Sequence, residues 1–235
     1  NCCDSARRVY DIVESTGKCK FLYMLDLPHE DNECEKVKYA QAIMRLKKAY
    51  EKFSGKTFDK EAFLNSFTEN ETEMKPYIGL LGVRVTGILE KMIRDNIQMD
   101  VDNLTCTGGR QLAVVPEQMR QMDEEKMFLA YADALLCQIP CFRMNNNTRR
   151  NQLYLDPNLK GIIYHTIKFC DYYGFEYASI KKNIKVPLLK IETDFTSQSA
   201  GQLLTRIQAF AETIEGSEDM DPGKGISEEA RKKVE

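Results

Sequence analysis

The side chains best suited to chemistry in this 235-residue chain are its eight cysteines, Cys2, Cys3, Cys19, Cys34, Cys106, Cys137, Cys141 and Cys170. Two of them sit where a thiolate gains most. Cys3, in C-C-D-S, precedes a helical pattern, and Cys170, in H-T-I-K-F-C-D, lies between an apolar run and the next helix. Helix starts favour the thiolate and leave it exposed enough to ligate. Two such cysteines on separate α/β units could meet across a cleft, where soft ligands suit an iron–sulfur cluster better than an oxygen-loving cation. Ordinary packed thiols are the competing reading. Cys137 and Cys141 are spaced by three residues, which is wrong for a zinc C-x-x-C knuckle, and no second pair completes four ligands.

Other motifs are weaker. His165 ends the run G-I-I-Y-H, where a general base could stand, but no carboxylate partner is evident and a structural role competes. Ser199 and Gln202 fit a capping box, and the helix start behind them would favour a phosphate or carboxylate; a capped helix without ligand explains them equally. T-G-G-R at 107–110 reads as a turn before it reads as an anion nest. Neither G-x-G-x-x-G nor G-x-x-x-x-G-K-[ST] occurs, so the chain itself is not expected to hydrolyse ATP. No Ser-His-Asp or Cys-His arrangement supports nucleophilic catalysis.

The elements that must position these residues follow from periodicity. Val9, Ile12 and Val13 predict a helix closed by Gly17, and K-F-L-Y-M-L-D-L-P predicts a strand buried on both faces. A helical pattern over about 33–65 is interrupted at S-G-K, and the acidic, Pro-terminated T-E-N-E-T-E-M-K-P reads as a linker. Strands are then expected at I-G-L-L-G-V-R-V, I-Q-M-D-V-D-N-L, G-I-I-Y-H and V-P-L-L-K-I-E-T. Helices are expected at I-L-E-K-M-I-R-D-N, over about 116–138, at D-Y-Y-G-F-E-Y-A-S-I and at Q-L-L-T-R-I-Q-A-F-A-E-T-I. Strands alternating with long helices imply βαβ crossovers. The expected fold class is α/β, two flavodoxin-like or Rossmann-like units with mostly parallel sheets. The expected division is 1–74, 75–216 and a charged tail 217–235.

Composition excludes some functions. A net charge of −3 with interspersed signs gives no broad basic face for nucleic acid. No run of about 18 apolar residues could span a membrane, and no secretory leader pattern is present. Eight cysteines in a chain long enough to bury its own core fit free thiols in a reducing cytoplasm better than a disulfide scaffold.

With these residues in view, N-C-C-D-S-A-R-R followed by L-D-L-P, then L-L-C-Q-I-P-C-F-R-M, G-I-I-Y-H-T-I-K-F-C-D and L-K-I-E-T-D-F-T-S-Q-S-A-G-Q-L-L-T-R-I-Q-A-F, resemble the family of 2-hydroxyacyl-CoA dehydratase component D and benzoyl-CoA reductase subunits. The resemblance runs from residue 1 to about 214. It implies the C-terminal part of a subunit whose first unit is incomplete at its N-terminus. It also implies a 4Fe-4S cluster held by three cysteines: Cys3 before Asp4, Cys170 in K-F-C-D, and a third expected upstream of Asn1. Cys2 is a neighbour off the motif position. The implied reaction is syn elimination of water from an (R)-2-hydroxyacyl-CoA to an enoyl-CoA, through a ketyl radical anion formed with one electron from a separate ATP-dependent iron–sulfur activator. Implied partners are a second component D subunit, in a heterodimer, and the acyl-CoA, with no nucleic acid and no membrane. P-C-F-R-M-N-N-N-T-R-R resembles the subunit that relays electrons. Arg143, Arg149, Arg150 and Ser199 are candidates to meet CoA phosphates or the partner subunit. A benzoyl-CoA reductase subunit and a non-catalytic electron relay are the alternative readings.

Overall fold

The computed structural model describes residues 4–67, 75–105, 108, 112, 116–138, 148–168, 170–194 and 200–218. In chain order the elements are α1 (Asp4–Ser15), α2 (Glu33–Ser54), α3 (Lys60–Asn65), β1 (Tyr77–Gly82), α4 (Gly87–Asn96), β2 (Asp100–Asn103), α5 (Pro116–Arg120), α6 (Glu124–Cys137), α7 (Thr148–Leu153), β3 (Leu159–Ile167), α8 (Asp171–Asn183), β4 (Leu188–Thr193) and α9 (Ala200–Glu218). They form two compact units, 1–72 with 110–153, and 73–109 with 154–235.

The first unit is helical among the described residues. The Asn32 side chain starts α2 by accepting the Glu35 N–H. Gly55, at φ 69°, ends α2 in the left-handed region and donates its N–H to Glu51 O. The S-G-K interruption is therefore a cap. Helix α2 packs along α6 through Tyr39, Ala40, Ile43, Met127, Phe128 and Ala132. Lys36–Asp133 and Lys47–Glu124 ion pairs flank that seam at 2.7 and 2.5 Å.

Three sequence expectations fail here. The pattern over 116–138 is two helices, because Asp123 takes an extended conformation and its carboxylate accepts the Lys126 N–H, starting α6 afresh. The apolar run at 20–28 belongs to no strand. A parallel strand needs a ladder neighbour, and no described segment of this unit is one. Instead Phe21 packs on Tyr50 and Phe53 of α2, with ring centroids 5.4 and 5.1 Å away. Finally, residues 110–153, read linearly as part of the second unit, group with the first, because α6 packs on α2.

The second unit holds the α/β architecture. Its four strands are all parallel, in the order β2-β1-β3-β4. β3 is the apolar run predicted, buried from Gly161 to Thr166. Strand alternation divides its side chains between two helical layers. On one face Ile163 joins Leu80, Ile191, Ile93 of α4 and Ile207 of α9 in the core. On the other, the Tyr164 hydroxyl donates to the buried Glu176 carboxylate of α8.

Candidate functional site at the carboxyl edge of the sheet

The order β2-β1-β3-β4 reverses direction at β1: the chain leaves β1 for β2 on one side and returns to β3 on the other. Such a reversal opens a crevice outside the carboxyl ends of the two central strands, where doubly wound sheets bind their ligands. Two connections border it here, 83–86 between β1 and α4, and 168–170 between β3 and α8. The second carries Cys170.

Cys170 is the residue before α8, with φ −98° and ψ 86°. Its N–H donates to Ile167 O at 3.0 Å, closing the strand end, while its side chain makes no capping hydrogen bond. The thiol is free and partly exposed. A partly exposed cysteine at a helix start, not engaged in capping, has the donor chemistry of a soft-metal ligand. Among the described residues no group of three or more Cys, His, Asp and Glu side chains stands together as a metal site. Cys3, the companion expected from sequence, lies outside the described residues, as do Arg143 and Ser199.

The edge around Cys170 is held by polar contacts. His165, at 0% exposure, uses both ring nitrogens. Nδ1–H donates to Val83 O (3.2 Å) and Arg84 O (3.1 Å), since carbonyls only accept. That leaves Nε2 to accept from the Thr193 hydroxyl at 2.8 Å. Burial holds the imidazole below its ordinary range, outweighing the opposing pull of the two carbonyls. His165 is thus a neutral tie between β1, β3 and β4, and the structural reading of this residue replaces the general base.

Gly82 makes the tie possible. At φ 91° it passes so close to β3 that a Cβ would lie 2.1 Å from His165 O. The next residue's N–H, Val83, donates to that same oxygen at 2.9 Å. At the same carboxyl end of β4, Lys168 N–H donates to Thr193 O at 2.9 Å and the Lys168 ammonium pairs with Asp194 at 3.0 Å. On the β2 side, Asn103 donates to Glu90 at 2.9 Å and accepts from the Thr105 N–H and hydroxyl at 3.1 and 2.6 Å. Gly108 N–H donates to Thr105 O at 3.0 Å, and the rest of T-G-G-R lies outside the described residues.

Other sequence candidates sit elsewhere. Arg150 is buried in α7 at 4% exposure and engaged within the chain, while Arg149 lies in the same helix. Cys19, Cys34 and Cys137 are free and exposed rather than packed. Sequence reasoning did not single out Gly82 or Thr193. A glycine closing an apolar strand, and a hydroxyl in I-E-T-D at the end of another, were the available signals.

An all-parallel, doubly wound sheet with a partly exposed thiol at its switch point defines an α/β domain of the flavodoxin-like or Rossmann-like class, whose ligand site lies at the strand ends. The sequence model of 2-hydroxyglutaryl-CoA dehydratase, D-component, matches residues 68–214, which include every strand of this sheet and Cys170. The chain belongs to that family. It is 27% identical over 180 residues to YjiM of Escherichia coli (strain K12), described provisionally as a dehydratase subunit; the match covers 67% of this chain and 45% of YjiM. It is also 27% identical over 157 residues to the (R)-phenyllactyl-CoA dehydratase beta subunit of Clostridium sporogenes, covering 60% of this chain and 40% of that protein. The chain thus spans less than half the length of these relatives. Among the described residues no helix is long and apolar enough to cross a membrane.

Proposed function

We propose that the chain is part of a subunit of an (R)-2-hydroxyacyl-CoA dehydratase that removes water in a syn sense to give an enoyl-CoA. The observation that carries this reading is Cys170, placed at the switch-point crevice within the stretch that matches the dehydratase D-component. Cys170 and Cys3, with a further cysteine, would hold a 4Fe-4S cluster. When bound, that cluster supplies single electrons and an open iron position.

The chain's own contribution is positional. The start of α8 sets the Cys170 thiol at the crevice, the His165 tie holds the ends of β3 and β4 together, and the Lys168–Asp194 pair steadies the connection that bears the thiol. An ATP-dependent iron–sulfur activator would deliver the electron, in keeping with the lack of a phosphate loop here. A second D-type subunit would complete a cytoplasmic heterodimer, and Arg143, Arg149 and Ser199 are the candidates to meet the CoA phosphates or that partner.

Anaerobic reconstitution of the full-length subunit tests the reading. About four irons per subunit are expected, as for a cubane cluster, with loss of iron in Cys170→Ala and Cys3→Ala. Iron content unchanged by both substitutions would overturn the ligand assignment. Activity of the complete complex toward benzoyl-CoA but not toward a 2-hydroxyacyl-CoA would overturn the dehydratase assignment.

A further inference from the structure

The connection that carries Cys170 is linked by a series of contacts to His165, a buried residue near the carboxyl end of β3. His165 Nε2 accepts from the Thr193 hydroxyl, the Thr193 carbonyl accepts from Lys168 N–H, and Cys170 N–H closes the turn on Ile167 O. The first two links join the end of β3 to the end of β4, and the third closes the turn that follows β3. The opposite nitrogen of the same ring holds the carbonyls of the 83–84 segment across the crevice. One buried imidazole therefore grips both banks of the switch point through different atoms.

We infer that His165 is a positioning residue for the Cys170 connection, acting through the Thr193 hydroxyl, while its Nδ1–H independently fixes the 83–86 connection. The assignment splits by atom. Asparagine places an amide nitrogen where Nδ1 stands, so His165→Asn keeps the bond to Val83 and Arg84 and loses the one to Thr193. Glutamine reaches the Nε2 position and can still accept from the Thr193 hydroxyl. Thr193→Val removes that hydroxyl at nearly constant shape, and Thr193→Ser restores it.

The measurement is the rate of Cys170 alkylation by iodoacetamide in the full-length, cluster-free subunit, read by peptide mass spectrometry with the exposed Cys19 as internal control. Thr193→Val and His165→Asn are expected to speed Cys170 alkylation by about threefold or more through looser local closure, with Cys19 unchanged. His165→Gln and Thr193→Ser are expected to stay near the parent rate. A merely structural histidine would instead lower the melting temperature in all His165 variants while the Cys170 rate follows the parent, and that result overturns the inference. Equal disruption by His165→Gln and His165→Asn would also overturn it. If His165→Asn fails to fold, the Thr193→Val and Thr193→Ser pair decides.

The importance of the positioning rests on the proposed ligand role of Cys170, and the two fail separately. A parent protein that takes up no iron removes the cluster reading and leaves the alkylation series valid. A parent that takes up iron with a flat alkylation series removes only the positioning.

Discussion

Replacing Gly82 by alanine tests the crevice geometry at its tightest point. Two costs fall on the new methyl group. The backbone angle of 91° lies outside the range L-residues adopt comfortably, at roughly 1–2 kcal/mol. The Cβ would also stand 2.1 Å from the His165 carbonyl oxygen, a backbone atom that moves only with β3. Separating the strands adds about 1–3 kcal/mol in strain and loosens the Val83 N–H bond to His165 O. The expected loss is therefore about 2–5 kcal/mol. Two controls separate the terms. Gly55→Ala carries the positive angle, 69°, with nothing within 4 Å of its Cβ, and should cost about 1 kcal/mol. Gly87→Ala, at the first position of α4 with open space around it, should be neutral or stabilising by up to about 1 kcal/mol. Urea unfolding by circular dichroism reads the order, since a slope of about 1–3 kcal/mol per M turns a loss of 3 kcal/mol into a midpoint shift of about 1–3 M. Hydrogen exchange over 159–167 localises the effect to β3. If Gly82→Ala costs no more than Gly55→Ala, the close approach of β1 to His165 is wrong.

The remaining predictions concern buried polar groups of the same sheet. Burial lowers the folded-state pKa of His165, so between that value and the ordinary 6.5 the unfolded chain binds the extra proton. Stability from this group is complete above about pH 6.5 and falls as pH drops below it, with a slope of at most about 1.4 kcal/mol per pH unit. Comparing urea midpoints of parent and His165→Gln at pH 7.5 and 5.5 checks the sign, and a parent that loses no more than the variant on acidification refutes it. Removing the Tyr164 hydroxyl with Tyr164→Phe leaves the buried Glu176 carboxylate without that donor and should cost about 1–3 kcal/mol in urea unfolding. Glu176→Gln, whose amide oxygen still accepts from the phenol, should cost less.

How far the site was legible in the sequence depended on the element. β3 and the start of α8 were readable because an apolar run buried on both faces gives way abruptly to K-F-C-D, so Cys170 could be put at a strand mouth without knowing the sheet. The end of α2 was readable for a similar reason, a glycine where a left-handed cap is needed. The run at 20–28 was not. Continuous apolar character says only that a segment is covered, and aromatic faces of α2 cover this one as a neighbouring strand would. The break before α6 was hidden because Met119, Met122 and Met127 keep the helical period across it, while one Asp side chain redirects the backbone. The grouping of 110–153 with the first unit depends on long-range packing of α6, which local periodicity does not encode.

His165 shows why residue type alone left the site ambiguous. A lone histidine at the carboxyl end of a central strand of a parallel sheet occupies the place where a general base would stand, and the same place is where two loops must be held apart at fixed spacing. The deciding quantities are burial and partner type. A base must face solvent or substrate with a free lone pair and a pKa near the working pH. His165 has no exposure, directs Nδ1–H at carbonyls, and gives its Nε2 lone pair to a hydroxyl. Burial also moves its pKa away from that range. The features that disqualify it from proton transfer suit it to hold a crevice in one shape, because a neutral, desolvated imidazole with directed bonds on both nitrogens has little freedom to turn. On the proposed reading the chemistry at this edge would fall to Cys170, which has what the histidine lacks: partial exposure, no capping bond, and the start of a thirteen-residue helix behind it.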